Sequence, residues 1–213
     1  MKKKLLFMLA LLVFFTGCTN VSKSSYDEIV DSIINSKYNI ENVFRTGYKY
    51  YAPNSMMSVD SRDYNEIVAT NNYNYYLYVD VVSYYNRVIS EYSVNSNAYY
   101  SKSINFEDKY GYIEINKQSN GKYLVEIMYN YAKIEVMVEE CDLKNTVANA
   151  MIILSSISYN NNILQSIIGD NALQFNEETY DIFKTKKQTT NYLDVEANDI
   201  YEEVETTDPD LVE

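Results

Sequence analysis

The chain has 213 residues, 46% of them apolar, and a formal net charge of −12, enough length for one domain with a buried core. It contains no histidine and no tryptophan. Losing histidine removes the commonest general base and transition-metal ligand, which excludes Ser-His-Asp, Cys-His and His-zinc chemistries. The five glycines fall singly at positions 17, 47, 111, 121 and 169, so no glycine-rich phosphate loop exists, and nucleotides are not expected as ligands. The acidic balance opposes nucleic acid and anionic lipid heads as partners.

In chain order, Lys2, Lys3 and Lys4 precede an unbroken apolar run from Leu5 to Phe15, and Thr16-Gly17-Cys18 follows. This is the pattern of a cleavable export signal, too short for a permanent membrane span of ~20 residues. Phe15-Thr16-Gly17-Cys18 resembles the lipobox of bacterial prolipoproteins. The resemblance implies removal of residues 1–17, acylation of Cys18 (palmitate-type chains) and attachment to the outer face of the cell membrane; ordinary secretory cleavage is the alternative. Two or three acyl chains would anchor durably, since each buried methylene contributes ~0.8 kcal/mol. Residues 18–24 then form the lipidated N-terminus and a short tether that keeps the domain near the bilayer. Removing the three lysines takes the net charge to −15. The abundance of Tyr, Asn, Ile and Lys looks like that of products of low-GC Gram-positive bacteria. Cys141 is the only other cysteine, so no internal disulfide can form, and it is expected as a small buried residue.

Ser25-Tyr26-Asp27-Glu28 has capping-box spacing and predicts a helix to about Ser36, with Ile29, Val30, Ile33 and Ile34 on one face. Short β-branched and aromatic runs predict strands at Val43–Tyr51, Tyr64–Ala69, Tyr75–Tyr85 and Ala98–Ile104. Asn86 to Asn97 reads equally as strand or short helix. Tyr110–Gln118 and Lys122–Tyr129 flank Ser119-Asn120-Gly121, a hairpin signal. A two-residue Asn-Gly loop would put Ile113 and Ile115 on the opposite face from Tyr123, Val125 and Ile127. A three-residue loop with Gly121 left-handed pairs Ile115 with Val125 and Ile113 with Ile127. Ala132, Ile134, Val136 and Val138 continue that face on a third strand. Leu143, Val147, Ala150, Met151, Leu154 and Ile157 repeat at helical spacing, and Ile163 to Ile168 suggest a further helix stopped at Gly169.

Helices at both ends of consecutive strands predict an α+β fold over residues 25–184, an antiparallel meander sheet packed in two or three layers with one N-terminal and two C-terminal helices. The order resembles, at fold level, the Mog1/PsbP-like domains found among other surface lipoproteins. Residues 185–213 form an acidic segment expected to be solvated and disordered; Asn191 to Glu213 alone carries nine acids and no Lys or Arg, without the spacing of an EF-hand.

The hairpin register places Glu114 opposite Glu126. A turn at Asn130-Tyr131 would add Glu135 to the row, whereas one at Tyr129-Asn130 would pair Glu126 with Lys133. Three aligned carboxylates could hold a cation or share a proton, or could be a plain solvated face screened by Lys133 and Lys102. On the Tyr75–Tyr85 strand, Tyr76, Tyr78, Asp80 and Tyr84 share a face suited to sugar or peptide contacts, or simply to packing under a helix. No cofactor is expected. The leading functional reading is a non-catalytic binding or envelope-assembly module that meets a surface protein, peptide or cell-wall component. The alternative is a carboxylate-dependent hydrolase of envelope glycans using two of Glu114, Glu126, Glu135 and Asp80.

Overall fold

The computed structural model describes residues 21–36 and 40–169, all within one compact unit. The Cys18 anchor and the acidic segment 185–213 lie outside the described residues.

Helix α1 (Tyr26–Asn35) starts where the sequence predicts. Ser25 Oγ accepts from the Glu28 N–H at 3.1 Å, and Glu28 Oε2 accepts from the Ser25 N–H at 2.8 Å, so two amides that the first turn leaves unpaired are satisfied reciprocally. Strands β1 (Val43–Arg45) and β2 (Tyr48–Tyr50) form a hairpin around Gly47, whose φ of 91° favours glycine. The predicted Val43–Tyr51 strand is therefore two strands.

Next come β3 (Met57–Arg62), β4 (Asn65–Ala69) and β5 (Asn74–Val79). The strand predicted to reach Tyr85 stops at Val79 because Asp80 caps a helix, α2 (Val81–Asn86), by accepting from the Ser83 N–H at 2.7 Å. A meander of β6 (Tyr100–Phe106), β7 (Lys109–Lys117), β8 (Tyr123–Tyr129) and β9 (Ala132–Val138) leads into α3 (Leu143–Ser156), β10 (Ser158–Tyr159) and α4 (Asn161–Ile168).

The fold is α+β. Seven antiparallel strands run in the order β3-β4-β5-β9-β8-β7-β6, and β1, β2 and β10 form a small second sheet. The β7–β8 hairpin has the three-residue loop and register expected: Gln118 and Lys122 close it, Gly121 has φ 84°, and Ile115 faces Val125 and Ile113 faces Ile127. The open choice at the next turn resolves to Asn130-Tyr131, both with positive φ (54° and 60°), the signature of a type I′ turn.

One face of the large sheet is apolar: Leu77, Val79, Ile113, Ile115, Val125, Ile127, Ile134 and Val136 are all buried. Helix α3 packs on β8 and β9 with Leu143, Val147, Ala150, Met151 and Leu154, and α1 packs on α3. Each such side chain contributes about 2 kcal/mol on burial. Cys141 is not in this core; it is exposed in the turn Glu140–Asp142 before α3, which corrects the expectation of burial. The turn Val21–Lys23 packs on α3, with Lys144 Nζ donating to the Ser22 carbonyl at 2.9 Å, so the ordered domain begins before Ser25.

Candidate functional site: the open face of the sheet

Among the described residues, the helices leave the second face of the large sheet without a helical layer. Register alone aligns one residue per strand across it: Ser101, Glu114, Glu126, Glu135, Tyr76, Ile67 and Asp60 run in order from β6 to β3. The three glutamates singled out from the sequence are thus adjacent, and Tyr76 continues their row. Like charges opposite one another are destabilising, so each needs an answer.

Each has one. The segment between α2 and β6 crosses the sheet at Glu114, where the Tyr92 ring stacks on the Tyr112 ring with centroids 4.1 Å apart and planes 6° off parallel. The Tyr92 hydroxyl donates to Glu114, as do the side-chain amides of Asn95 at 2.9 Å and Asn116 at 2.7 Å. Burial, together with that bond, pushes the Tyr92 hydroxyl up to about 12. Glu126 accepts from the Tyr112 hydroxyl. Its carboxyl is raised, chiefly by burial and further by Glu135 and Glu114, with the Tyr112 bond and Lys133 pulling the other way. Glu135 is buried and pairs with Lys133 at 2.9 Å.

This arrangement bears on both chemical readings of the row. Among the described residues, no three acidic or thiol side chains converge to hold a metal ion. Glycosidic carboxylates need to flank a cleft, whereas Glu114 and Glu126 sit on adjacent strands with their oxygens taken up by neighbouring side chains.

A cleft opens beside them instead, with a volume of about 120 Å³. Its floor is Ile67, Tyr76 and Tyr78 on β4 and β5. Asp60 and Arg62 of β3 form one wall, Lys133 and Glu135 of β9 the other, and Asn65 also lines it. Tyr76 and Tyr78 are each half-buried and line the cleft. Asp80 does not join them. It is the cap of α2, largely buried, with its carboxyl raised by burial against the opposing Ser83 hydrogen bonds. Tyr84, also expected on this face, lies on α2 and stacks on Tyr159 at 3.7 Å.

Asp60 and Arg62 were not foreseen. Every residue of β3 is exposed, and the alternation of Met57 and Val59 with Ser58 and Asp60 is too short to single the strand out. The only local signal is Asp63-Tyr64 between Arg62 and Asn65, where Asp63 has φ 53° in a two-residue turn.

A second polar centre sits between the sheets. Glu66 points to the inner face and ion-pairs with Arg45 of β1, which also donates to Ser58 Oγ at 2.9 Å. The Glu66 side chain is fully buried, and burial and its charge drive the Tyr50 hydroxyl far up from its ordinary value. This pair ties the small sheet to β4. Among the described residues no helix is long and apolar enough to cross a membrane.

Fold and cleft together define a helix-backed antiparallel sheet with one open, tyrosine-lined face. No protein-family model matches the sequence, and none of the curated proteins matches it either.

Proposed function

We propose that this chain is a membrane-anchored extracytoplasmic lipoprotein, held by acylated Cys18, whose open sheet face binds a component of the cell envelope without transforming it. The observation that supports binding is the cleft at Tyr76 and Tyr78, flanked by charges of both signs from β3 and β9. Tyrosine supplies rigid apolar area with a polar tip, and the flanking Asp60, Arg62, Lys133 and Glu135 can orient a polar ligand such as a peptide or wall fragment. The support for a non-catalytic role is that Glu114, Glu126 and Glu135 are each engaged by neighbouring side chains.

The anchor reading acquires geometry from the turn at Val21–Lys23. With that turn packed on α3, only Thr19 and Asn20 separate it from Cys18, a reach of roughly 11 Å at full extension. An acylated Cys18 would therefore hold the domain against the membrane surface, within reach only of partners at that depth.

Two measurements test this. Metabolic labelling with a palmitate analogue should mark the wild-type chain and leave Cys18→Ala unlabelled; an unlabelled wild type refutes the anchor. A photo-cross-linker placed at Tyr78 in cells should yield a defined adduct that Tyr76→Ala removes, whereas the same probe at Lys49 should not. Equal adducts at both positions would refute the cleft as the binding face.

A further inference from the structure

We infer that the free edge of β3 is an interface between two copies of this chain, paired antiparallel about a twofold axis at Ser61. The observation is independent of whether Cys18 carries lipid.

The edge is exposed: every residue of β3 is exposed, including Met57 at 65% and Val59 at 55%. Exposed edge strands template pairing with another strand unless something blocks them. The irregularity that could block this one lies between Ser58 and Asp60, leaving Asp60 to Arg62 regular.

Backbone direction and side-chain charge then select the same register. Arg62 pairs with Asn65 across a two-residue turn, and residues closing such a turn exchange backbone hydrogen bonds with each other. Bonded and non-bonded pairs alternate, so Arg62 and Asp60 spend their amides on β4, while the N–H and C=O of Ser61 point to the open edge. A second β3 can bond there only through a residue of that outward set. Centring the twofold at Ser61 makes Ser61 bond to its own copy and sets Asp60 opposite the copy's Arg62, twice by symmetry, adding a second carboxylate to the Asp63 that Arg62 meets at 3.9 Å in its own chain. These flanking pairs occupy the closer, non-bonded positions, where opposite charges attract most. Centring at Asp60 would instead face two carboxylates. The interface is isologous and closes as a dimer rather than growing into a fibre. It joins the two sheets edge to edge and brings the two clefts, whose outer walls are Asp60 and Arg62, side by side.

The test uses the full chain in detergent with both native cysteines replaced (Cys18→Ser and Cys141→Ser), so that the Ser61→Cys thiol is the one probed by a short bifunctional reagent. A covalent dimer is expected from Ser61→Cys. It should be absent without that substitution and absent from Asn105→Cys on the opposite edge strand. Adding Arg62→Asp should cut dimer yield about tenfold or more by setting like charges face to face, and Asp60→Arg with Arg62→Asp should restore it. No dimer from Ser61→Cys, an adduct with a different protein, or a yield indifferent to these charge changes would each overturn the inference. Asp60, Ser61, Arg62, Asn105 and Cys141 are all exposed, so folding is not at stake at these positions.

Discussion

Removing Arg45 should destabilise the domain by isolating a buried charge. In Arg45→Met the Glu66 carboxylate, with no exposed side-chain surface, loses its cation and keeps only the hydroxyls of Tyr48 and Tyr50 nearby. Breaking a fully buried pair costs about 3–5 kcal/mol; because Arg45 is 25% exposed and water screens it, about 3 kcal/mol is expected here. At roughly 2–4 °C per kcal/mol for a domain of this size, the melting temperature should drop by about 6–12 °C. Replacing both partners, Arg45→Met with Glu66→Leu, should return most of the stability, since no charge is then left unanswered. Thermal melts of the wild type, the single and the double variant at pH 7 provide the measurement. If Arg45→Met costs less than about 1 kcal/mol, or if the double variant is no better than the single, the pair is not the tie between the sheets that its burial implies.

Glu126→Gln should be neutral or stabilising at pH 7. A carboxyl whose folded value lies above its ordinary 4.5 costs stability once pH exceeds the folded value and costs nothing below 4.5, so the advantage of Gln should fade as pH falls through that window in paired melts. Asp27 works in the opposite sense: its hydrogen bond from Lys102 holds it below 3.8, so that contribution is present above 3.8 and is lost on acidification, and Asp27→Asn should flatten the acid limb of the stability curve. Gly111→Ala should destabilise by about 3 kcal/mol or more in a denaturant titration, because its Cβ would lie 1.9 Å from the Met128 carbonyl oxygen, a backbone atom that cannot swing aside. Tyr92→Phe keeps the stack on Tyr112 but removes the donor to Glu114. Amide exchange in residues 88–99 should quicken while exchange in β8 stays unchanged.

Legibility in the sequence followed burial. The β7–β8 hairpin was readable to the residue because its inner face is buried and a one-residue slip would expose it, so hydrophobic pattern and turn chemistry had one joint solution. That register then placed Glu114 opposite Glu126, although neither residue is apolar. Only the last turn stayed open, and it was decided by left-handed conformations at Asn130 and Tyr131, the second of which nothing in a tyrosine advertises. Legibility failed where local capping beat periodicity: the Tyr75–Tyr85 alternation is real up to Val79, but Asp80 offers its carboxylate to the Ser83 amide and the chain turns into α2. It failed again at β3, whose residues are all exposed and whose apolar alternation stops after Met57 and Val59. The candidate cleft inherits both outcomes, with Tyr76, Tyr78 and Glu135 anticipated, Asp60 and Arg62 missed, and Asp80 misplaced.

The large sheet divides its labour by face, and the division follows from parity. A strand that puts Ile113 and Ile115 inward must put Tyr112, Glu114 and Asn116 outward, so every residue specifying the core also fixes the spacing of the outer row. On β7 and β8 the protein answers its aligned glutamates with tyrosine hydroxyls and amides, which satisfy the carboxylates but leave them little capacity to act on anything else. On β9 the answer is Lys133, a flexible cation at the mouth of the cleft, 27% exposed at its side chain. Between those two solutions the sheet changes from a locked polar surface to one where a ligand's own charge could compete for Lys133 against Glu135. The cleft therefore lies where the row of glutamates ends.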